Sequence, residues 1–116
     1  MADPFRILVV DDEPAQLELA GGFLKKRGFE TVLAESGEKA LRSFRDQPFD
    51  LVLTDQKMAG MLGLELVHAV RALNPETAVI VMTAYGTIET AVSAIKAGAA
   101  DYLTKPLNLD ELLYRI

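Results

Sequence analysis

The chain has 116 residues, and 50% of them are hydrophobic, which suits a single globular domain with its own core. It has no cysteine, so disulfides, thiolate metal sites and a cysteine nucleophile are excluded. Its formal net charge of −5 opposes the attraction that dominates nucleic-acid binding, and we expect no direct contact with DNA or RNA. The apolar runs are far shorter than the about 20 residues that cross a bilayer, and no signal peptide is apparent, which predicts a soluble cytoplasmic protein without membrane contact.

The first half of the chain predicts two strand and helix pairs. A strand is expected at Arg6–Val10, and the acidic residues and proline that follow it suit the first turn of a helix. Apolar residues at helical spacing continue that helix towards Gly28, a residue typical of a helix end. A second strand is expected at 31–34, with Ser36 as the N-cap of a second amphipathic helix that ends near Pro48.

The second half continues the alternation. Further strands are predicted at 51–54, 78–82 and Asp101–Thr104. The third helix should end before Asn74-Pro75. The fourth helix is predicted to carry one apolar stripe, made of Ile88, Ala91, Val92 and Ile95. Asn108 suits the N-cap of a fifth helix, which has only about two turns before the chain stops in an uncapped apolar run.

This order predicts an α/β fold, because parallel strands need crossover helices and these strands are continuously apolar. We expect a doubly wound, five-stranded parallel sheet with five helices, arranged as a three-layer α/β/α sandwich. Residues 1–116 are expected to form one domain. The uncapped last helix suggests that this domain is the excised N-terminal part of a longer protein.

Polar side chains follow four of the five predicted strands, at the edge where open parallel sheets bind ligands. Asp11 and Asp12 follow the first strand, Asp55 the third, Thr83 the fourth and Lys105 the fifth. Three carboxylates at one edge repel one another, and a bound Mg²⁺ is the ordinary way to keep them ionised. Asp55 would then be a nucleophile towards phosphorus, with Thr83 and Lys105 holding the phosphoryl oxygens.

Each of these residues also has a simpler interpretation. Asp12 could be a helix N-cap, Asp55 a turn former and Thr83 a cap or turn residue. Lys105 alone would be an ordinary solvated side chain. It is their coincidence at successive strand ends that favours a metal-assisted phosphoryl site over these interpretations.

Four segments resemble the response regulator receiver family of two-component signalling, and the resemblance spans essentially the whole chain. The segments are residues 7–13, 50–55, 81–86 and 98–106. Their details within 83–99 are similar to the nitrogen-regulatory class, whose members usually carry a sigma-54-interacting ATPase domain and a DNA-binding domain after the receiver. The resemblance implies the CheY-like, flavodoxin-like version of the predicted fold.

The resemblance also implies specific roles at the carboxylate edge. Asp55 would accept a phosphoryl group from a phosphohistidine of a sensor histidine kinase. Asp12 and Asp55 would bind Mg²⁺, or another divalent cation such as Mn²⁺, directly. Asp11 would bind it mostly through water, and the backbone carbonyl of Lys57 would be a further ligand. No activity beyond self-catalysed phosphotransfer and autodephosphorylation is implied.

A second group of roles concerns the switch that follows phosphorylation. Lys105 would contact the acyl phosphate, Thr83 would move to hydrogen-bond it, and the rotamer of Tyr102 would follow Thr83. Lys105-Pro106 would be a cis peptide. The face formed by the fourth helix, fifth strand and fifth helix would make a phosphorylation-dependent homodimer and control a transcriptional output domain in the full-length protein.

The loop after Asp55 departs from the family pattern. Members commonly have proline at the position of Ala59 and aspartate at the position of Leu62. We therefore expect a less rigid and less polar loop, without consequence for the phosphoacceptor itself.

Three other classes of protein remain as alternatives. A haloacid dehalogenase would also use an aspartyl phosphate, but it needs an aspartate where Lys57 stands. A flavin- or nucleotide-binding module would need a phosphate-binding loop after the first strand, where Asp11 and Asp12 stand instead. A receiver-like module that is never phosphorylated would usually lose part of the acidic set, which is present here.

Overall fold

The structure is a computed structural model that describes residues 5–58, 60–83, 88–105 and 108–116. In this part of the chain, strands and helices alternate. The strands are β1 Arg6–Val10, β2 Glu30–Ala34, β3 Leu51–Asp55, β4 Ala78–Thr83 and β5 Asp101–Thr104. The helices are α1 Pro14–Lys26, α2 Gly37–Asp46, α3 Gly63–Leu73, α4 Ile88–Ala97 and α5 Leu109–Arg115. The predicted order of elements is confirmed.

These strands form one parallel sheet in the order β2-β1-β3-β4-β5. β3 is central, and all five of its residues are buried. Apolar residues on the two faces of the sheet belong to two separate core clusters. One contains residues of α2, α3 and α4, and the other contains residues of α1 and α5. The predicted three-layer α/β/α sandwich is confirmed, and chain order reverses between β1 and β3, where this strand order places a ligand site.

Several predicted helix boundaries are confirmed. The side-chain oxygen of Ser36 accepts a hydrogen bond from the Lys39 N–H (3.1 Å), and that of Asn108 accepts one from the Glu111 N–H (3.0 Å). Gly28 has a φ of +93°, which favours glycine after a helix. The interpretation of Asp12 as an N-cap is wrong, because α1 has Pro14 at its first position and Glu13 as its N-cap residue.

The predicted apolar stripe of α4 is wrong for two of its members. Val92 and Ile95 are 45% and 51% exposed, whereas Ala94 is fully buried. The helix turns its small residues towards the sheet, with Ala94 and Ala97 against the core on that face. The prediction of the stripe relied on hydrophobicity alone. It failed because an exposed apolar residue and a buried one look the same in sequence.

No helix in the described part of the chain is both long enough and apolar enough to span a membrane.

Candidate functional site

The predicted carboxylates meet at the carboxyl edge of the sheet, where β1 and β3 are neighbours. Asp55 is the last residue of β3, and Asp11 follows β1, where its backbone N–H donates to the Ala34 carbonyl. Carboxylate oxygens of Asp11, Asp12 and Asp55 lie within 4.8 Å of one another. Parallel pairing therefore brings together residues that are 44 positions apart along the chain (55 − 11).

Lys105 reaches this group from the end of β5. Its Nζ lies 3.0 Å from Asp11 Oδ2 and 3.2 Å from Asp55 Oδ1. The Lys105 N–H donates to the Thr83 carbonyl (2.6 Å), which continues the pairing of β4 and β5 beyond the last strand residue. The lysine backbone is thus positioned by the sheet, and its ammonium bridges two carboxylates.

Burial sets the electrostatics of the group. Asp11 and Asp55 are 1% and 8% exposed, whereas Asp12 is exposed. Burial raises the pKa of Asp55, and the Asp11 charge adds to this, while the Lys105 charge and hydrogen bond act in the opposite direction. For Lys105, burial alone would lower the pKa, but hydrogen bonds and charges from Asp11 and Asp55 outweigh it, so its pKa is raised. The ammonium therefore stays protonated at neutral pH.

The donor set fits a hard divalent cation. Mg²⁺ takes oxygen ligands and keeps several waters, and three carboxylates within 4.8 Å with one exposed member provide both oxygens and solvent access. Asp11, Asp12 and Asp55 are the residues that could hold it. The Lys57 side chain is exposed, and its proposed carbonyl ligand stays a prediction.

Thr83 and Tyr102 lie on the side of the site that faces α4. Thr83 is 3% exposed and lines a cavity of about 250 Å³. Among the residues that the structure describes, the others that line it are Gln56, Lys57, Leu62, Leu64 and Thr90. The Tyr102 hydroxyl lies 2.7 Å from Thr90 Oγ1. Pro106, predicted to follow a cis peptide bond, lies outside the described residues, as does Ala59.

The loop after Asp55 is held by contacts that the sequence did not indicate. The Gly63 N–H donates to the Gln56 carbonyl (2.9 Å), and the Leu62 N–H donates to Glu65 Oε1 (3.2 Å). Leu62 is 47% exposed and has no side-chain acceptor with which to cap α3. The lower rigidity of this loop stays a prediction, while its less polar character agrees with the exposed leucine.

Gly63 packs directly against the phosphoacceptor candidate. A Cβ at this position would lie 2.4 Å from the Asp55 carbonyl oxygen and 2.9 Å from the Gln56 Cα, which are backbone atoms. Sequence reasoning missed this role, because a glycine that opens a helix looks the same as one in a loose turn. The contact of Thr90 with Tyr102 was also missed, because the predicted stripe of the fourth helix did not include Thr90.

Comparison with known proteins identifies the class. A family model described as the response regulator receiver domain matches residues 7–116. The chain belongs to the response regulator receiver domain family.

Curated relatives refine this assignment. The transcriptional regulatory protein ZraR of Escherichia coli (strain K12) is 47% identical over 110 residues, which are 95% of this chain and 25% of that protein. The response regulator protein PilR of Pseudomonas aeruginosa is 41% identical over 107 residues, 92% of this chain and 24% of that protein. The chain thus spans about a quarter of the length of the curated relatives it matches.

Solved structures agree with both the fold and the class. A CheY-like receiver domain protein from Methanospirillum hungatei is 34% identical with a TM-score of 0.93, and the match covers 97% of this chain and 90% of that one. NtrX from Brucella abortus is 38% identical with a TM-score of 0.90, covering 97% of this chain and 26% of that one. The resemblance to the nitrogen-regulatory class is confirmed.

Because the pKa of Asp55 is raised, its ionised form should destabilise the folded domain by an amount that depends on pH. The folded domain favours the protonated carboxyl, so the stability it contributes is present at low pH and is lost as the pH rises through the folded-state pKa. Without divalent cations, Asp55→Asn should raise Tm at neutral pH by a few degrees. The gain should shrink as the pH falls towards the ordinary aspartate pKa of about 3.9. Thermal unfolding in EDTA across this range measures it.

Glu18→Gln is the matched control, since it removes one carboxylate charge from an exposed position on α1. It should change Tm little at any pH. A lower Tm for Asp55→Asn at neutral pH would show that the ion pair with Lys105 outweighs burial.

The contact of Gly63 with Asp55 predicts that Gly63→Ala is destabilising. The new methyl group cannot be accommodated without moving backbone, and overpacking of this kind typically costs about 1–3 kcal/mol. Urea unfolding measures the loss. Gly22→Ala is the control, because a Cβ there meets nothing within 4 Å and alanine is the better helix former by up to about 1 kcal/mol. Equal stability of the two variants would contradict the proposed contact.

Proposed function

We propose that this domain takes a phosphoryl group from the phosphohistidine of a sensor histidine kinase onto Asp55. The observation that supports this most directly is the position of the Asp55 carboxylate. It lies at the strand switch point, beside Asp11 and Asp12 and 3.2 Å from the Lys105 ammonium. A carboxylate among cation-binding groups can act as a nucleophile towards phosphorus, because the negative charge of the transferring group is neutralised at the same place.

The proposed step forms a bond between an Asp55 carboxylate oxygen and phosphorus and breaks the bond between phosphorus and the histidine nitrogen. Mg²⁺, held by Asp11, Asp12 and Asp55, would neutralise charge on the phosphoryl oxygens. Lys105 contributes a protonated ammonium whose backbone is positioned by β4. Asp11 holds that ammonium at 3.0 Å, so the lysine is positioned before a phosphoryl group arrives.

The same groups support loss of the phosphoryl group to water. We propose that the domain catalyses only the transfer of the phosphoryl group onto its own Asp55 and the later loss of that group, and that it is not an enzyme acting on a separate substrate. Attack by water on phosphorus would release phosphate and restore the Asp55 carboxylate, with Lys105 again beside the phosphoryl oxygens.

Output is proposed to pass through Thr83 to the face formed by α4, β5 and α5. Thr83 is buried beside a cavity, which gives its side chain space to move, and Tyr102 lies on the same face of the sheet. In the full-length protein this face would control an output domain, and we propose a transcriptional one because the matched relatives are named as transcriptional regulatory proteins. The acidic receiver itself would not bind nucleic acid.

Incubation with acetyl phosphate and Mg²⁺, followed by intact mass measurement, tests the proposed chemistry. We expect the wild-type domain to gain one phosphoryl group, because the phosphoacceptor and its charge-neutralising groups are all on this chain. Asp55→Asn should gain none, and EDTA should suppress the gain. A phosphoryl group that persists in Asp55→Asn would contradict the assignment of the phosphoacceptor.

Exposed apolar residues on α4 and α5 predict a dimer of the phosphorylated form. Val92, Ile95 and Tyr114 are 45%, 51% and 85% exposed. Beryllofluoride, which mimics the phosphoryl group, should therefore raise the sedimentation mass to that of a dimer when Mg²⁺ is present. Ile95→Asp should remain a monomer because it places a charge in that surface, while still gaining a phosphoryl group from acetyl phosphate. An unchanged wild-type mass would contradict the prediction.

A further inference from the structure

A side-chain hydrogen bond joins α4 to β5 close to the candidate site. Thr90 Oγ1 and the Tyr102 hydroxyl are 2.7 Å apart, and both groups are partly buried. Thr90 lies in the first turn of α4, and Tyr102 is the second residue of β5. The bond therefore connects two elements of the face through which output is proposed.

The bond lies at the wall of the cavity that also borders Thr83. Tyr102 pairs with Val81, and Thr83 pairs with Thr104, so Thr83 and Tyr102 lie on the same face of neighbouring strands. The cavity has about 250 Å³, and both Thr83 and Thr90 line it. The hydrogen bond is therefore next to the same open space that borders Thr83.

Among the α4 side chains that the structure describes, those that pack against the core are small. Ala94 is fully buried and Ala97 is partly buried, whereas Val92 and Ile95 point away from the core. An alanine contributes little apolar area, so the hydrogen bond of Thr90 adds to a modest apolar contact from these residues. A typical net hydrogen bond shifts an equilibrium by about fivefold.

We propose that Thr90 is a positioning residue of the switch, whose hydroxyl holds Tyr102 and α4 in the resting arrangement and so sets how readily Asp55 is phosphorylated. This inference rests on the proposed function of Asp55. Conversion to the active arrangement breaks the hydrogen bond between Thr90 and Tyr102. The free energy of this bond therefore opposes the conversion that the phosphoryl group drives. Loss of the bond therefore favours the active arrangement before any phosphoryl group has been added.

A double-mutant cycle tests this. Thr90→Val keeps the shape of the side chain without its hydroxyl, and Tyr102→Phe keeps the ring without its hydroxyl. Each should raise the rate of phosphorylation by acetyl phosphate, and the affinity for beryllofluoride with Mg²⁺, by about fivefold. The double variant should gain about fivefold and not the about 25-fold of two independent effects, because both changes remove the same bond. Thr90→Ser keeps the hydroxyl and should behave as wild type.

The phosphorylation rates of the variants test the role of Thr90, whereas the phosphoryl gain of the wild-type domain tests the proposed function of Asp55. A merely destabilised domain would not react faster, so a rate increase together with a lower Tm still supports the positioning role. Single variants that react at the wild-type rate or more slowly, or effects that multiply in the double variant, would overturn the role of Thr90. A wild-type domain that gains no phosphoryl group would overturn the proposed function instead.

Discussion

Two buried carboxylates with one ammonium between them determine how the rest of the molecule must be arranged. Removal of an ionised carboxylate from water costs several kcal/mol unless a partner compensates. Asp11 and Asp55 are nearly inaccessible to solvent, and Lys105 lies within 3.2 Å of both. These three residues come from strand ends that are far apart in sequence. The sheet order and the crossover helices are therefore what make the site possible, and the charges limit how far the strand ends can move relative to one another.

β5 connects the site to α4. Lys105, which contacts the phosphoacceptor candidate, follows its last residue, and the strand carries Tyr102, whose hydroxyl contacts α4. A single four-residue strand thus links Asp55 with the helix that presents Val92 and Ile95 to solvent.

Much of the fold and of the candidate site was predictable from sequence for identifiable reasons. Continuously apolar strands and clear helix ends indicated a parallel sheet, and parallel strands place their carboxyl ends at one edge, which brought Asp11, Asp55 and Lys105 together. The rotation of α4 was not predictable in this way, since Val92 and Ile95 are as apolar as a buried stripe would be. The contacts of Gly63 and Thr90 were missed because each depends on a neighbour fixed only by tertiary packing.

Gly63 gives the loop that precedes it an unusual property. The loop 56–62 leaves from Asp55 and returns at Gly63 to within contact distance of the Asp55 carbonyl. It therefore acts as a tether of fixed length, and a residue inserted into it would have to bulge outwards or displace the aspartate. Its side chains differ in burial, since Leu62 is 47% exposed whereas Met58 is 6% exposed and belongs to a core cluster. Engineering of new properties at this rim should accordingly be confined to exposed positions such as Leu62 and leave the length of the tether unchanged.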